Sequence, residues 1–90
     1  MLPKISEIIP LDQYILQVKF DDGYEVLYDL KSDMDSIPDF APLAQTANLW
    51  RQSQVDTSRT CVYWTDRIDL ASDTIYEYGQ PVRVSFPPFH

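Results

Sequence analysis

The sequence predicts a small α+β domain: a small antiparallel sheet made of N-terminal strands with an Asp-Asp-Gly hairpin and then a second hairpin, with short helices packed on one face. Three observations carry this. Apolar and polar residues alternate with period two through the first third of the chain, which is the strand signature. Two short apolar stripes at helical spacing come next, one from Phe40 to Trp50 and one from Ala71 to Tyr78. Seven prolines among 90 residues, with only two glycines, disfavour a bundle of long helices. A chain of this length makes one domain and buries roughly two-thirds of the surface its unfolded form exposes.

Residues 4–10 read as a first short strand, with Ile5 and Ile9 on one face and Ile8 on the other. Tyr14, Leu16, Val18 and Phe20 share a face of the next strand, and Tyr24, Val26, Tyr28 and Leu30 share a face of the third. The turn between these two fixes their register. A two-residue loop at Asp22-Gly23 sets Phe20 across from Glu25 and mixes the faces. A three-residue loop Asp21-Asp22-Gly23, with Gly23 left-handed, pairs Phe20 with Tyr24, Val18 with Val26 and Leu16 with Tyr28. That register keeps the apolar set together.

Residues 31–39 are polar and end at Pro38, so they read as a loop or one short turn. Asp39 is placed to cap a helix beginning at Phe40, whose buried stripe is Phe40, Leu43, Ala47 and Trp50; Gln45-Thr46 breaks it into two short turns. Val55 and Thr60–Trp64 read as two strands around Thr57-Ser58-Arg59, and Ile68 with Leu70 extends the pattern after a turn at Thr65-Asp66. Ser72 is the expected N-cap of a last helix, with Asp73 at the positive end of its dipole and Ala71, Ile75 and Tyr78 as its apolar stripe. Gly79 and Pro81 stop it. The domain is expected over residues 1–79, with 80–90 a C-terminal tail, either mobile or an added edge strand.

Catalytic chemistry finds little to work with. The sole histidine is His90, the last residue, and Cys61 sits in an apolar strand context that favours a buried, inert thiol. Asp33, Asp35 and Asp39 have the spacing of a calcium loop only at first sight, since its glycine position is Pro38 and its glutamate position is Ala44. Zinc lacks its cysteine and histidine ligands, Asp66 and Asp69 suit a turn and a helix start, and Gly23 and Gly79 are isolated turn residues rather than a phosphate loop. Tyr14, Tyr24, Tyr28, Tyr63 and Trp64 are core candidates, because a base-stacking surface needs basic neighbours. No cofactor and no metal is expected.

The charge is −7, from 14 acidic and 7 basic residues. It is concentrated: residues 21–39 hold Asp21, Asp22, Glu25, Asp29, Asp33, Asp35 and Asp39 against Lys31 alone. Such a segment repels phosphates and attracts basic proteins. The N-terminus, interrupted by Glu7, Pro10 and Asp12, has no continuous apolar core for a signal peptide. No stretch approaches the roughly 18 apolar residues of a membrane span, and a single cysteine is unlike a small secreted domain. A cytoplasmic location, no membrane and no nucleic acid are therefore expected.

The ordered fragments resemble a small bacterial family known as domain of unknown function 2442. They are Ile8-Ile9-Pro10-Leu11, Phe20-Asp21-Asp22-Gly23, Tyr28-Asp29-Leu30, Phe40-Ala41-Pro42-Leu43, Leu49-Trp50, Val55-Asp56, Val62-Tyr63-Trp64, Asp69-Leu70 and Ile75-Tyr76 before Gly79. Thr65-Asp66-Arg67 departs from the Pro-Asn-Gly turn usual there. The resemblance implies a small α+β fold and no catalytic residues. Some relatives are followed by a helix-turn-helix domain, for which the residues after Gly79 are too few here, and some stand beside a second small family in an arrangement suggestive of toxin–antitoxin pairs.

The expected function is a non-enzymatic protein-interaction module whose acidic surface binds a basic protein partner, conceivably as an antitoxin-like neutraliser. Its candidate contact residues are Asp33, Asp35, Asp39, Glu25 and Asp29. The alternative is a small-molecule-binding or weakly catalytic domain using the aromatic sheet face. A homodimer through an edge strand or the C-terminal tail is left open.

Overall fold

The computed structural model describes residues 2–82. Three antiparallel strands begin the chain: β1 (Ile5–Pro10), β2 (Ile15–Phe20) and β3 (Glu25–Asp29). The β2–β3 hairpin takes the three-residue loop, with Val18 opposite Val26 and Leu16 opposite Tyr28. Gly23 sits at φ 90° and donates its N–H to the Phe20 carbonyl at 3.0 Å, while Phe20 donates to Tyr24 at 2.8 Å. Asp22 Oδ1 accepts the Tyr24 N–H at 2.9 Å, so the turn residues satisfy their own backbone.

β1 departs from simple alternation. Ile5 pairs with Phe20 but Glu7 pairs with Lys19, so Ser6 is an extra residue. This bulge puts Ile5 and Ile8 on one face and Ile9, opposite Gln17, on the other. The expectation that groups Ile5 with Ile9 against Ile8 is corrected, because alternation is not conserved through a bulge. The β1–β2 connection is tight, with Gln13 and Tyr14 both left-handed at φ 63° and 60°. It sets the Tyr14 ring edge-on to Trp50 at 5.5 Å.

The polar stretch after β3 is a helix, α1 (Lys31–Ser36), rather than a loop or single turn. Asp29 Oδ1 accepts the Lys31 N–H at 2.9 Å and Met34 packs on the core, which together anchor a segment with little apolar content. Asp39 lies inside a 3-10 turn, Pro38–Phe40, and makes no side-chain cap; the one-turn helix α2 (Pro42–Gln45) starts from Ala41 instead. The expected break at Gln45-Thr46 is present, and another 3-10 turn comes next at Trp50–Gln52. Phe40, Leu43, Leu49 and Trp50 are buried. Ala47 is exposed, because the break carries it off the stripe.

The second sheet contains β4 (Gln54–Val55), β5 (Cys61–Thr65) and β6 (Ile68–Ala71), all antiparallel. Its Asp66-Arg67 turn uses no positive φ, and Thr65 Oγ1 accepts the Arg67 N–H at 3.1 Å, so the turn closes without a glycine. The two sheets are joined at Arg59, whose carbonyl accepts the Ile5 N–H at 2.8 Å.

Helix α3 (Ser72–Tyr78) comes after β6. Ser72 is its first residue and not its cap: its N–H is held by the Thr60 carbonyl at 2.8 Å, and the side chain is buried. The buried stripe is Ser72 and Ile75 with Tyr76 partly covered, while Ala71 is exposed and Tyr78 is 72% exposed, so the expected Ala71–Ile75–Tyr78 stripe is rotated. Gly79 ends the helix in extended backbone, φ −69° and ψ 153°, not left-handed. Its lack of a side chain serves packing: a Cβ there would lie 2.6 Å from the Ile75 carbonyl and 2.7 Å from Val26 Cγ2. β7 (Gln80–Pro81) then pairs with β3, giving the larger sheet the order β1-β2-β3-β7. Gln80–Pro81 thus forms an edge strand; residues 83–90 lie outside the described residues. One hydrophobic cluster draws on both sheets, with Ile5, Leu16, Val18, Val26, Leu30, Leu43, Val62, Ile68 and Ile75 almost fully buried.

Candidate functional site

The acidic segment 21–39 does not fold into one continuous face. Asp21 and Asp22 stand at the hairpin tip, Glu25 starts β3, Asp29 ends it, and Asp33 and Asp35 lie on α1. Glu25 and Asp29 are four residues apart on one strand, roughly 13 Å. Asp39 stands on the turn after Pro38.

Several of these carboxylates already have structural work. Asp21 accepts from the Arg59 guanidinium at 2.8 Å. Asp22 accepts from the Tyr76 hydroxyl at 2.6 Å and from the Tyr24 amide, which hold its carboxyl below the usual range. Glu25 accepts from the Gln17 side-chain amide across the hairpin. Asp29 binds the Lys31 amide and, at 3.1 Å, the Lys31 ammonium, and both lower its pKa. Asp33 accepts from the hydroxyl of the buried Tyr28 at 2.8 Å; burial first, and then that bond, push the phenol up. Asp35 and Asp39 are exposed and have no hydrogen bond or ion pair among the described residues.

Where β3, α1 and the end of α3 meet, an open groove of about 540 Å³ is lined by Leu27, Asp29, Lys31, Asp35 and Tyr78 among others. It brings together Asp29, Asp35 and the exposed ring of Tyr78, and leaves out Glu25 and Asp39. Tyr78 escaped the sequence reading because its helical spacing marks it as core; the rotation of the helix puts it outside.

The aromatic residues divide between structural roles. Trp50 and Trp64 stack at 5.6 Å, with Trp50 Nε1 donating to the Leu11 carbonyl at 2.7 Å and Trp64 Nε1 to the Trp50 carbonyl at 3.0 Å. Tyr28 is held by Asp33, and Tyr63 donates its hydroxyl to Gln54 at 3.1 Å on the other sheet. Cys61 is partly buried, and burial, with Asp69 and Asp56 nearby, raises its thiol pKa, which is the reverse of an activated nucleophile. Among the described residues no three His, Cys, Asp or Glu side chains are grouped to hold a metal ion, and no helix is long and apolar enough to cross a membrane.

The residues arranged here fall within a known family pattern. The family model described as "Protein of unknown function (DUF2442)" matches residues 5–81. The chain belongs to the DUF2442 family. The matched span runs from the first residue of β1 to the last of β7, so the DUF2442 unit includes the edge strand after Gly79. No curated protein and no solved structure matches this DUF2442 chain.

Proposed function

We propose that this DUF2442 domain is a non-enzymatic protein-interaction module that binds a basic protein partner through the acidic side around α1. One observation carries the reading: Asp35 stands exposed and unpaired among the described residues, on the same groove as Asp29 and the exposed Tyr78 ring. A lysine or arginine suits this arrangement, since its aliphatic stem lies on the ring while its charged head reaches a carboxylate. The net charge of −7 supports long-range attraction of a cationic surface and opposes a phosphate-bearing one. Antitoxin-like neutralisation of a small basic protein is the form this binding takes in the proposal, in the cytoplasm. The raised thiol pKa of Cys61 supports the non-enzymatic part.

The test uses a basic protein recovered with the full chain from its native cell and then purified. Association with the Asp35→Asn, Asp39→Asn double variant should slow several-fold at low salt and depend less steeply on salt. An association rate equal to that of the native chain at low salt overturns the reading.

A further inference from the structure

A second groove, of about 450 Å³, opens at the hairpin end of the larger sheet. Its lining is Leu2, Pro3, Phe20 and Tyr76 with three charged residues, Asp21, Asp22 and Lys4. Tyr76 is fixed over it by its bond to Asp22, with its ring edge-on to Phe20 at 4.8 Å and tilted on Tyr24 at 4.6 Å. Leu2 at its mouth is 46% exposed. Apolar, aromatic-lined grooves suit proline-rich segments, whose extended conformation costs little to order.

The path of β7 points to an occupant. β7 runs antiparallel to β3 towards the hairpin: Gln80 lies opposite Leu27, Pro81 opposite Val26, and the Val82 N–H donates to the Glu25 carbonyl at 3.0 Å. Tyr24 alone separates Glu25 from the Asp21–Gly23 turn, so β3 has almost no backbone left to pair with residues beyond Val82. The chain continues as Arg83-Val84-Ser85-Phe86-Pro87-Pro88-Phe89-His90. These residues lie outside the described ones, but their sequence is an aromatic pair around two prolines, preceded by a cation. Eight residues reach at most about 28 Å, and three strand spacings from β7 to β1 are only about 14 Å.

We infer that the groove is the docking site of this chain's own C-terminal segment, with Phe86-Pro87-Pro88-Phe89 against Leu2, Pro3, Phe20 and Tyr76 and the Arg83 charge passing the Asp21 and Asp22 carboxylates. The apolar wall suits the aromatic and proline run, and the groove's two carboxylates outnumber its one ammonium, Lys4, on the side that Arg83 must pass. The inference is independent of the basic-partner reading, which concerns the opposite end of β3.

The test is solution NMR on the full chain. Through-space contacts between the Phe86 or Phe89 ring and the Leu2 methyls or Tyr76 ring are expected, with intensities unchanged on dilution. The full-length Phe86→Ser, Phe89→Ser variant and, from the groove side, Leu2→Gln should both lose these contacts. Both should shift the Phe20 and Tyr76 resonances while leaving Val62 and Trp64 unmoved. Absence of the contacts in the native chain overturns the inference. So do contacts that vanish on dilution, which assign the groove to a second copy's tail, and shifts spread through the core in both variants.

Discussion

The Arg59 guanidinium meets the Asp21 carboxylate at 2.8 Å across 38 positions of sequence, and the same guanidinium reaches the Ile5 carbonyl at 3.4 Å. Arg59 therefore ties the loop of the second sheet to both the first strand and the hairpin tip of the larger one. It does so from a left-handed backbone, φ 61°, that a non-glycine residue adopts at some cost.

The pair is half exposed on both sides, so its own contribution is small. Asp21→Asn should cost at most about 1 kcal/mol, and less in high salt. Arg59→Gly should relieve the backbone while losing the ion pair, and so should be less destabilising than Arg59→Ala. Urea melts of the three variants check the order; Arg59→Ala being the mildest would contradict it.

The two glycines should fail for different reasons. At Gly23 a Cβ meets nothing within 4 Å, so Gly23→Val carries only the strain of its φ of 90°, about 1–2 kcal/mol, and Gly23→Asn carries less. At Gly79 the φ is ordinary but the space is filled, so even Gly79→Ala should cost about 1–3 kcal/mol by overpacking against Val26. Denaturation of the Asn and Ala variants separates the two: asparagine is tolerated at 23, alanine is not tolerated at 79.

The carboxylates of residues 29–39 should not behave alike. Asp35→Asn and Asp39→Asn should leave the melt within about 0.5 kcal/mol of the native chain. Asp33→Asn weakens the partner of the Tyr28 hydroxyl, and Tyr28→Phe removes the bond altogether, for roughly 0.5–1.5 kcal/mol. A triple substitution at 33, 35 and 39 would mix this structural cost with any binding effect, which sequence alone, treating all three as free loop carboxylates, does not foresee.

Stability should be flat near neutral pH and fall at both ends. Asp22, Asp29 and Asp56 have depressed pKa values, so their contributions are present above their unfolded value of about 4 and are lost as pH falls through the lower folded values. Tyr28 and Tyr76 are raised, so theirs are present below about 10 and lost as the pH climbs past it. Thermal melts across the range, repeated with Tyr28→Phe, check the alkaline limb, which should flatten in that variant.

Sequence reveals local features here. The Asp21–Gly23 loop is legible because one register alone keeps Val18, Val26, Leu16 and Tyr28 on a common face, and a turn residue and an alternation pattern are short-range signals. The Ser6 bulge is illegible because nothing in Ile5-Ser6-Glu7-Ile8 distinguishes an inserted residue from a continued strand. Ser72 has every local mark of a cap, yet the Thr60 carbonyl, twelve positions earlier, decides its place. The same holds for the acidic residues: their number is written in the chain, but whether each is free depends on Lys31, Tyr28, Gln17 or Arg59, which are brought to them by the fold.

The Ser6 bulge has a meaning for the protein at high concentration. β1 and β7 are the margins of the larger sheet, and margins present unpaired amides to any other chain that drifts by. β1 answers with an irregular backbone at Ser6 and a proline at its end, and β7 with Pro81, which has no amide to donate. Among the described residues neither margin is the straight, flat, apolar border that invites stacking into cross-β fibres.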